Sequence, residues 1–506
     1  MIDKRLNYSK VYFIEKVRDE LISSLKGDKI PAEELKNNLD RYCQDELPFD
    51  GGKVNKKTMW DNASSNMWSY YQLDYLRRMV GYYCTGNINK NQVLDTILDK
   101  CGGIDANDYK IHVTFFCQEF DLFPSFSSVW KSMEDNRLFD RQAVFVYENK
   151  ADDPTVGRYI SENYENYLKF GIPVIDYKDY SLTTDQPDIC FYMKPYYAIR
   201  GIPPKLYVRE VNRYTKYTVY ISYCLDVQGG SKLYQFFYGM PAQYSIWKII
   251  GYSQFYKDMA CKYGFRGGEN VEVIGHPKFD EIFEMERNKN KWVDVEWRKK
   301  IGNRPVILWN THFSITPNAG VGTFLYWYKD MRDYFKKNND IFLIWRPHPI
   351  FWQTIEKEKT IDQEEFREFC RDLEQMDNVI INKYGDYHYS FAMSDALISD
   401  AATFLVEYVA TEKPVMYTPK EGGEGVIDEN CIKDIYIGDS FDKIAEYCDM
   451  VKNHHDPLKN KRMESFYSEY GHLDGKNGER IRDYIIGAMH SDIENDARVA
   501  VRGKMV

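Results

Sequence analysis

The stretch FLIWRPHPIF, residues 342–351, runs four apolar or aromatic residues straight into Arg346-Pro347-His348-Pro349. The apolar half reads as a buried strand of an open α/β sheet, and in such sheets ligands sit outside the carboxyl ends of the strands. Pro347 and Pro349 cannot continue a hydrogen-bonded ladder, and they hold the chain extended as it leaves the strand. A permanent cation and a titratable ring are thereby aimed into the crevice. A surface turn with two incidental polar residues fits these ten residues equally well, so the surrounding pattern has to decide.

That pattern is strand and helix in alternation. Around the quoted stretch, RPVILWNT (304–311), NVIINK (378–383), DALISD (395–400) and KPVMYT (413–418) read as strands. TFLYWYKDMRDYFKKN (323–338), EEFREFCRDLEQM (364–376) and TFLVEYVAT (403–411) read as the helices between them. The same texture starts earlier, with strands in KIHVTFFCQ (110–118), RQAVFVYE (141–148), PVIDY (173–177), PDICFYM (187–193) and YTVYISYCL (217–225). FSSVWKSM (126–133) and ENYENYLKF (162–170) read as helices, as does the whole of YSIWKIIGYSQFYKDMACKYGF (244–265). Such alternation means βαβ units and parallel sheets. The charged run MERNKNKWVDVEWRKKIGN (285–303) separates the two blocks, and residues 1–105 carry only helical spacing, as in VYFIEKVRDELISSL and MWSYYQLDYLRRMVGYY. The expectation is a helical extension at 1–105, a first Rossmann-like domain at 106–285, and a second at 286–506. Two doubly wound domains facing across a cleft are the GT-B architecture; two unrelated Rossmann-like domains fit the pattern as well.

Composition narrows the classes. A chain of 506 residues with 43% hydrophobic and 28% charged residues is an ordinary globular one, and a net charge of -10 argues against a general nucleic-acid binder. Ten cysteines without a CxxC pair, and an N-terminus MIDKRLNYSK charged from its third residue, read as a reduced cytoplasmic chain without zinc or disulfide framework. No apolar run approaches the ~20 residues of a membrane span, so any membrane contact is peripheral. Oligomeric state is not legible.

A second motif lies in SDALISDAATFLVEYVATEKPVMYT, residues 394–418. A strand ends in Asp400, Ala401 and Ala402 form a small-residue turn, and Thr403 opens a helix. Small residues let a phosphate reach the backbone N–H groups of a helix N-terminus, where the dipole favours an anion. Glu407, one turn on, shares a face with Thr403 and suits the hydroxyls of a ribose. The competing reading is a capped helix with Glu407 exposed.

Five segments in order resemble the CDP-glycerol glycerophosphotransferase family of teichoic-acid and capsule polymer transferases. They are VEVIGHPKFDEIF (271–283), RPVILWNTHFS (304–314), LIWRPHP (343–349), the segment 394–418, and FYSEYGHLDGKNGERIRDYI (466–485). The resemblance implies a GT-B fold and transfer of a polyol phosphate from a cytidine-activated donor such as CDP-glycerol to a surface glycan or polyol-phosphate acceptor. No cofactor or metal is expected. It also implies roles. His348 sits by the donor pyrophosphate as a candidate general acid, and Arg346 neutralises phosphate. Asp400, Ala402 and Thr403 form the phosphate turn, Glu407 is the ribose-side acid, and Asp474, Lys476 and Arg480 form the closing motif.

Two departures stand out. The family's acceptor-side histidine is absent from YISYCLDVQGGSKLY (220–234), leaving Asp226 and Tyr223 there. Asp226 and Glu119, the latter beyond the first strand, are equal candidates for the acceptor-activating base in its place; Asp121 is a further carboxylate there, and Ser127 and Ser128 are candidate acceptor contacts. The family's arginine after the RPVILWN strand is replaced by His312, while His276 reads as structural. These departures keep alternatives open: a GT-B glycosyltransferase using a CMP- or UDP-sugar, a sugar-nucleotide epimerase, or a degenerate scaffold subunit.

Overall fold

In the computed structural model, residues 6–503 are described apart from 28–29, 46–63, 135, 148–153, 197–201, 226, 228, 230, 317–319, 384–385, 421–426, 429–431 and 472. Two parallel sheets carry the molecule. The first has seven strands: β1 (Ile111–Cys117), β2 (Phe139–Phe145), β3 (Val174–Asp176), β4 (Ile189–Tyr192), β5 (Tyr217–Ile221), β6 (Lys248–Gly251) and β7 (Val271–Val273). Their order is β3-β2-β1-β4-β5-β6-β7. The second has six: β8 (Val306–Thr311), β9 (Phe342–Pro347), β10 (Val379–Ile381), β11 (Ala396–Ser399), β12 (Val415–Tyr417) and β13 (Tyr436–Ile437), in the order β10-β9-β8-β11-β12-β13. Each sheet reverses direction beside its first strand, β1 against β4 and β8 against β11, which makes a crevice at the carboxyl ends of those strands. The α/β expectation holds for both halves.

One helix was misplaced from sequence. Residues 244–265 divide into strand β6, paired between β5 and β7, and a helix Gln254–Tyr263 capped by the Ser253 hydroxyl. Ile249 and Ile250 are buried on a four-residue run that periodicity cannot tell from a helical turn; pairing on both sides decides it.

The second sheet owes its rigidity to aromatic packing. Trp345 in β9 stacks on Phe324 at 5.5 Å and on Trp309 at 5.7 Å, and its indole N–H donates to Thr311 Oγ1 at 3.2 Å. Because side chains alternate along a strand, locking Trp345 on one face sends Arg346 to the other.

A joint helix, Pro277–Arg287, links the two halves, and a closing helix, Asn477–Arg502, returns from the second half to pack on helices Ser127–Ser132 and Tyr8–Gly27. Asp280 of the joint helix accepts from Asn477 N, Asn477 Nδ2 and Gly478 N at 2.8–3.0 Å, filling the orphan donors at the start of the closing helix. The approach leaves no room for side chains. A Cβ at Gly275 (φ 130°) would lie 2.1 Å from Asn477 Oδ1, and one at Gly478 would lie 2.3 Å from the Ser128 carbonyl carbon. The N-terminal helices Tyr8–Gly27, Ala32–Asp45, Ser64–Cys84 and Lys90–Cys101 form a bundle against the closing helix. No described helix is long and apolar enough to cross a membrane.

Candidate active site

The carboxyl ends of the two sheets meet. The Thr403 hydroxyl, just after β11, donates to the Leu225 carbonyl beyond β5 at 3.2 Å, and Asp428 N donates to Val227 O at 3.0 Å. The seam between these contacts is the cleft.

On the donor wall two histidines pair. His312 follows β8 and His348 follows β9, with ring centroids 5.8 Å apart and the Phe313 ring 4.3 Å from one and 4.8 Å from the other. Each Nδ1 accepts a backbone N–H two residues on, Ser314 N at 3.1 Å and Ile350 N at 3.2 Å. That arrangement places the proton of each neutral ring on Nε2. Burial pulls the pKa of His312 down to about 4; burial, His312 and Arg346 together pull that of His348 down to about 3. Both rings are therefore neutral N–H donors at physiological pH. The general-acid role expected of His348 is revised accordingly: in the free protein it carries no surplus proton, and it meets a phosphate as a hydrogen-bond donor.

Arg346 is buried, with its guanidinium 5.1 Å over the Phe404 ring, and it feels the charges of Asp121, Asp386 and Glu407. A buried guanidinium in a cleft wall suits a phosphate ligand, which it attracts against the opposing charge of those carboxylates.

Asp400 does not face the phosphate turn. Its carboxylate accepts from His312 N at 2.7 Å, Thr323 N at 2.6 Å and Thr323 Oγ1 at 3.2 Å, and burial raises its pKa to about 6. A carboxylate repels phosphate, and here it clamps the backbone that carries His312. Ala402 occupies the first position of the helix Ala402–Val409, and Thr403 follows it. The N–H groups of that first turn lack intrahelical partners and point along the positive end of the dipole.

Glu407 is the clearest correction. It is fully buried and ion-paired to Lys278 of the joint helix at 2.7 Å, with Tyr387 beside it. Its other oxygen, Oε2, is buried without a hydrogen-bond partner among the described residues. The helical spacing with Thr403 is as read, but the neighbour on that face is a lysine from 129 residues away in sequence, which no local pattern encodes. An open ribose-side acid is therefore not what this structure presents.

The closing motif also differs from its expected role. Arg480 ion-pairs with Asp474 and donates to Asn477 Oδ1 at 3.3 Å, while Lys476 is exposed where the closing helix begins. Neither touches Arg346, His312 or His348 among the described residues. The motif seats the closing helix on the joint.

Across the cleft, Glu119 ion-pairs with Lys194, whose ammonium lies 3.2 and 3.4 Å from its two oxygens. Asp226 lies outside the described residues. Tyr223 sits under Lys194, 5.5 Å from ring centre to ammonium. Ser127 donates to Glu281 at 2.5 Å, and Ser128 packs against Gly478, so both belong to the joint rather than to an acceptor. His276 is structural, as read: its Nε2 lies 2.7 Å from Ser222 O, and Nδ1 caps the joint helix at Lys278 N.

Sequence reading missed Lys278 and Asp386. The latter bonds His388 Nδ1 at 2.7 Å, and its field reaches Arg346. The Gly385-Asp386 step ahead of a short helix was the available signal. No described group of three or more His, Cys, Asp or Glu is arranged to hold a metal ion.

Comparison with known proteins bears on the fold. The wall teichoic acid polymerase TagF has the same fold at 14% identity, covering 82% of this chain and 97% of that chain with a TM-score of 0.50. A variant of TagF soaked with CDPG matches over the same shares at 13% identity and TM-score 0.50. A UDP-N-acetylglucosamine 2-epimerase matches at 12% identity over 75% of this chain and 96% of that one, with a TM-score of 0.48. Among curated proteins, none matches the chain. The match in sequence begins at β6 and ends inside the closing helix, spanning the joint, both histidines, Arg346 and the phosphate turn. Residues 248–487 match the family model of CDP-glycerol:poly(glycerophosphate) glycerophosphotransferases.

Proposed function

We propose that this protein is a transferase that moves glycerol phosphate from CDP-glycerol to a hydroxyl of a teichoic acid or related surface polymer. The observation that carries the reading is the donor wall. Two neutral Nε2–H donors, a buried guanidinium and the first turn of a helix stand at the carboxyl ends of β8, β9 and β11, which supports a pyrophosphate site there. The acceptor oxygen attacks the β-phosphorus, and the bond to CMP breaks. The developing charge on CMP is held by fixed N–H dipoles and one cation, which cost no reorganisation as the bond breaks. In this reading CDP-glycerol is a substrate and no cofactor takes part. The protein works in the cytoplasm, at the inner face of the membrane that carries the growing polymer.

The test is thermal stabilisation by CMP, CDP, CDP-glycerol, UMP and UDP, on wild type and His348→Ala. A ligand that binds only the native state raises the melting temperature according to its concentration over Kd. Selective stabilisation by the cytidine ligands, weakened in His348→Ala, is the expected result. A uridine preference would replace the reading with a sugar transferase or epimerase, and no response to any of the five would favour a scaffold.

A further inference from the structure

The acceptor wall carries two carboxylates just beyond β1, and their surroundings differ. Glu119 is largely buried and already neutralised by Lys194 at 3.2 Å. Asp121, two residues on, makes no hydrogen bond or ion pair with any described residue, yet its carboxylate lies within electrostatic reach of Arg346 and Asp386 on the opposite wall. The position is not accidental to the fold. β1 is the strand at which the first sheet reverses, so residues leaving it enter the crevice, and Arg346 leaves β9 into the same crevice from the second sheet. Asp121 thus combines solvent access, freedom from a partner among the described residues, and a position at the carboxyl end of β1 within electrostatic reach of the cation proposed to hold the donor phosphates.

We infer that Asp121 is the general base that activates the acceptor hydroxyl, in place of the histidine this chain lacks. The inference rests on the transferase reading above. As the acceptor oxygen bonds to the β-phosphorus, its proton passes to an Asp121 oxygen. The phosphorus–oxygen bond to CMP breaks, and its electron pair leaves on the CMP phosphate, where Arg346 and the two Nε2–H groups face it. Asp121 is exposed, so the proton then passes to water. The surroundings favour the task. Desolvation in the cleft raises the carboxyl above its ordinary value, Arg346 opposes this, and Asp386 and Glu119 add to it. A base poised closer to neutral pH transfers protons more efficiently.

The experiment measures CMP release from CDP-glycerol with poly(glycerol phosphate) as acceptor, for wild type, Asp121→Asn, Asp121→Glu, Glu119→Gln and Asp226→Asn. Asp121→Asn should lose about 10²- to 10⁴-fold in kcat, the range for a general base, with stabilisation by CDP-glycerol unchanged. Asp121→Glu should recover part of the rate. The acid limb of the wild-type kcat/KM profile should vanish in Asp121→Asn, a change that a merely structural role would not produce. If Asp121→Asn keeps its rate within about fivefold, the assignment is overturned, and whichever of Glu119→Gln or Asp226→Asn takes the loss names the base. If wild type neither binds nor turns over CDP-glycerol, the transferase reading itself fails, and the assignment falls with it.

Discussion

Replacing Lys278 by methionine keeps an apolar stem of similar length and removes only the ammonium. Glu407 is then left as a carboxylate at 0% exposure with its partner gone, and its Oε2 already lacks a hydrogen bond among the described residues. Two unit charges 2.7 Å apart attract by about 6 kcal/mol at an effective dielectric of 20. Part of that attraction only offsets desolvation, so removing one partner is expected to cost about 3–5 kcal/mol. Lys278→Met combined with Glu407→Leu removes both charges and fills the site, and should restore stability to within about 1 kcal/mol of wild type. Urea unfolding at pH 7, followed by tryptophan fluorescence, measures all three proteins and closes the cycle with Glu407→Leu. A single-mutant cost below about 1 kcal/mol would refute the buried pair, because that is the value of a solvated one. The same variants test the ribose. If Glu407 serves Lys278, a preference for CMP over dCMP survives Glu407→Gln; if it reads the ribose, the preference disappears.

Further expectations follow from the donor wall. His348→Ala and His312→Ala should each lower kcat by about 10²- to 10³-fold, the loss typical of one N–H donor to a developing oxyanion, with little change in melting temperature. Asp400→Ala strands the N–H groups of His312 and Thr323, so a destabilisation of about 2–6 kcal/mol is expected, at about 1–3 kcal/mol for each orphaned donor. A melting temperature unchanged by that substitution would contradict the clamp. Because His348 sits near pKa 3 and His312 near 4 in the free protein, both are uncharged above about pH 5, and kcat/KM should show no limb near pH 6.5 from either ring. A limb near 6.5 that disappears in His348→Ala would show that the ring is charged there. Thr403→Val removes one cross-cleft hydrogen bond and should cost about 0.5–1.5 kcal/mol, read in the same urea titration.

Much of the fold could be read from the sequence because parallel strands are short apolar runs between turn signals, and the second block spells them cleanly. The first block hid β6, since Lys248–Gly251 is too short for periodicity and only its neighbours β5 and β7 make it a strand. At the site, local motifs located Arg346, His348 and Thr403 at the ends of strands. What they could not give was the far partner. Glu407 meets Lys278, Asp400 meets Thr323, Ser127 meets Glu281, and Asp280 meets Asn477, each pair separated by between 77 and 197 residues. Such long-range pairings change a residue's role without changing its motif. The GHPKFDEIF and DGKNGER segments stand as separate motifs in the sequence, and the structure joins them through Asp280.

The central claim is transfer of glycerol phosphate, and the most direct measurement follows CDP-glycerol labelled in its glycerol with poly(glycerol phosphate) as acceptor. The account predicts that label enters polymer in step with CMP, one for one, and that His348→Ala slows both together. Label that stays with the nucleotide, or a protein that transfers from a UDP-sugar while leaving CDP-glycerol intact, would contradict it.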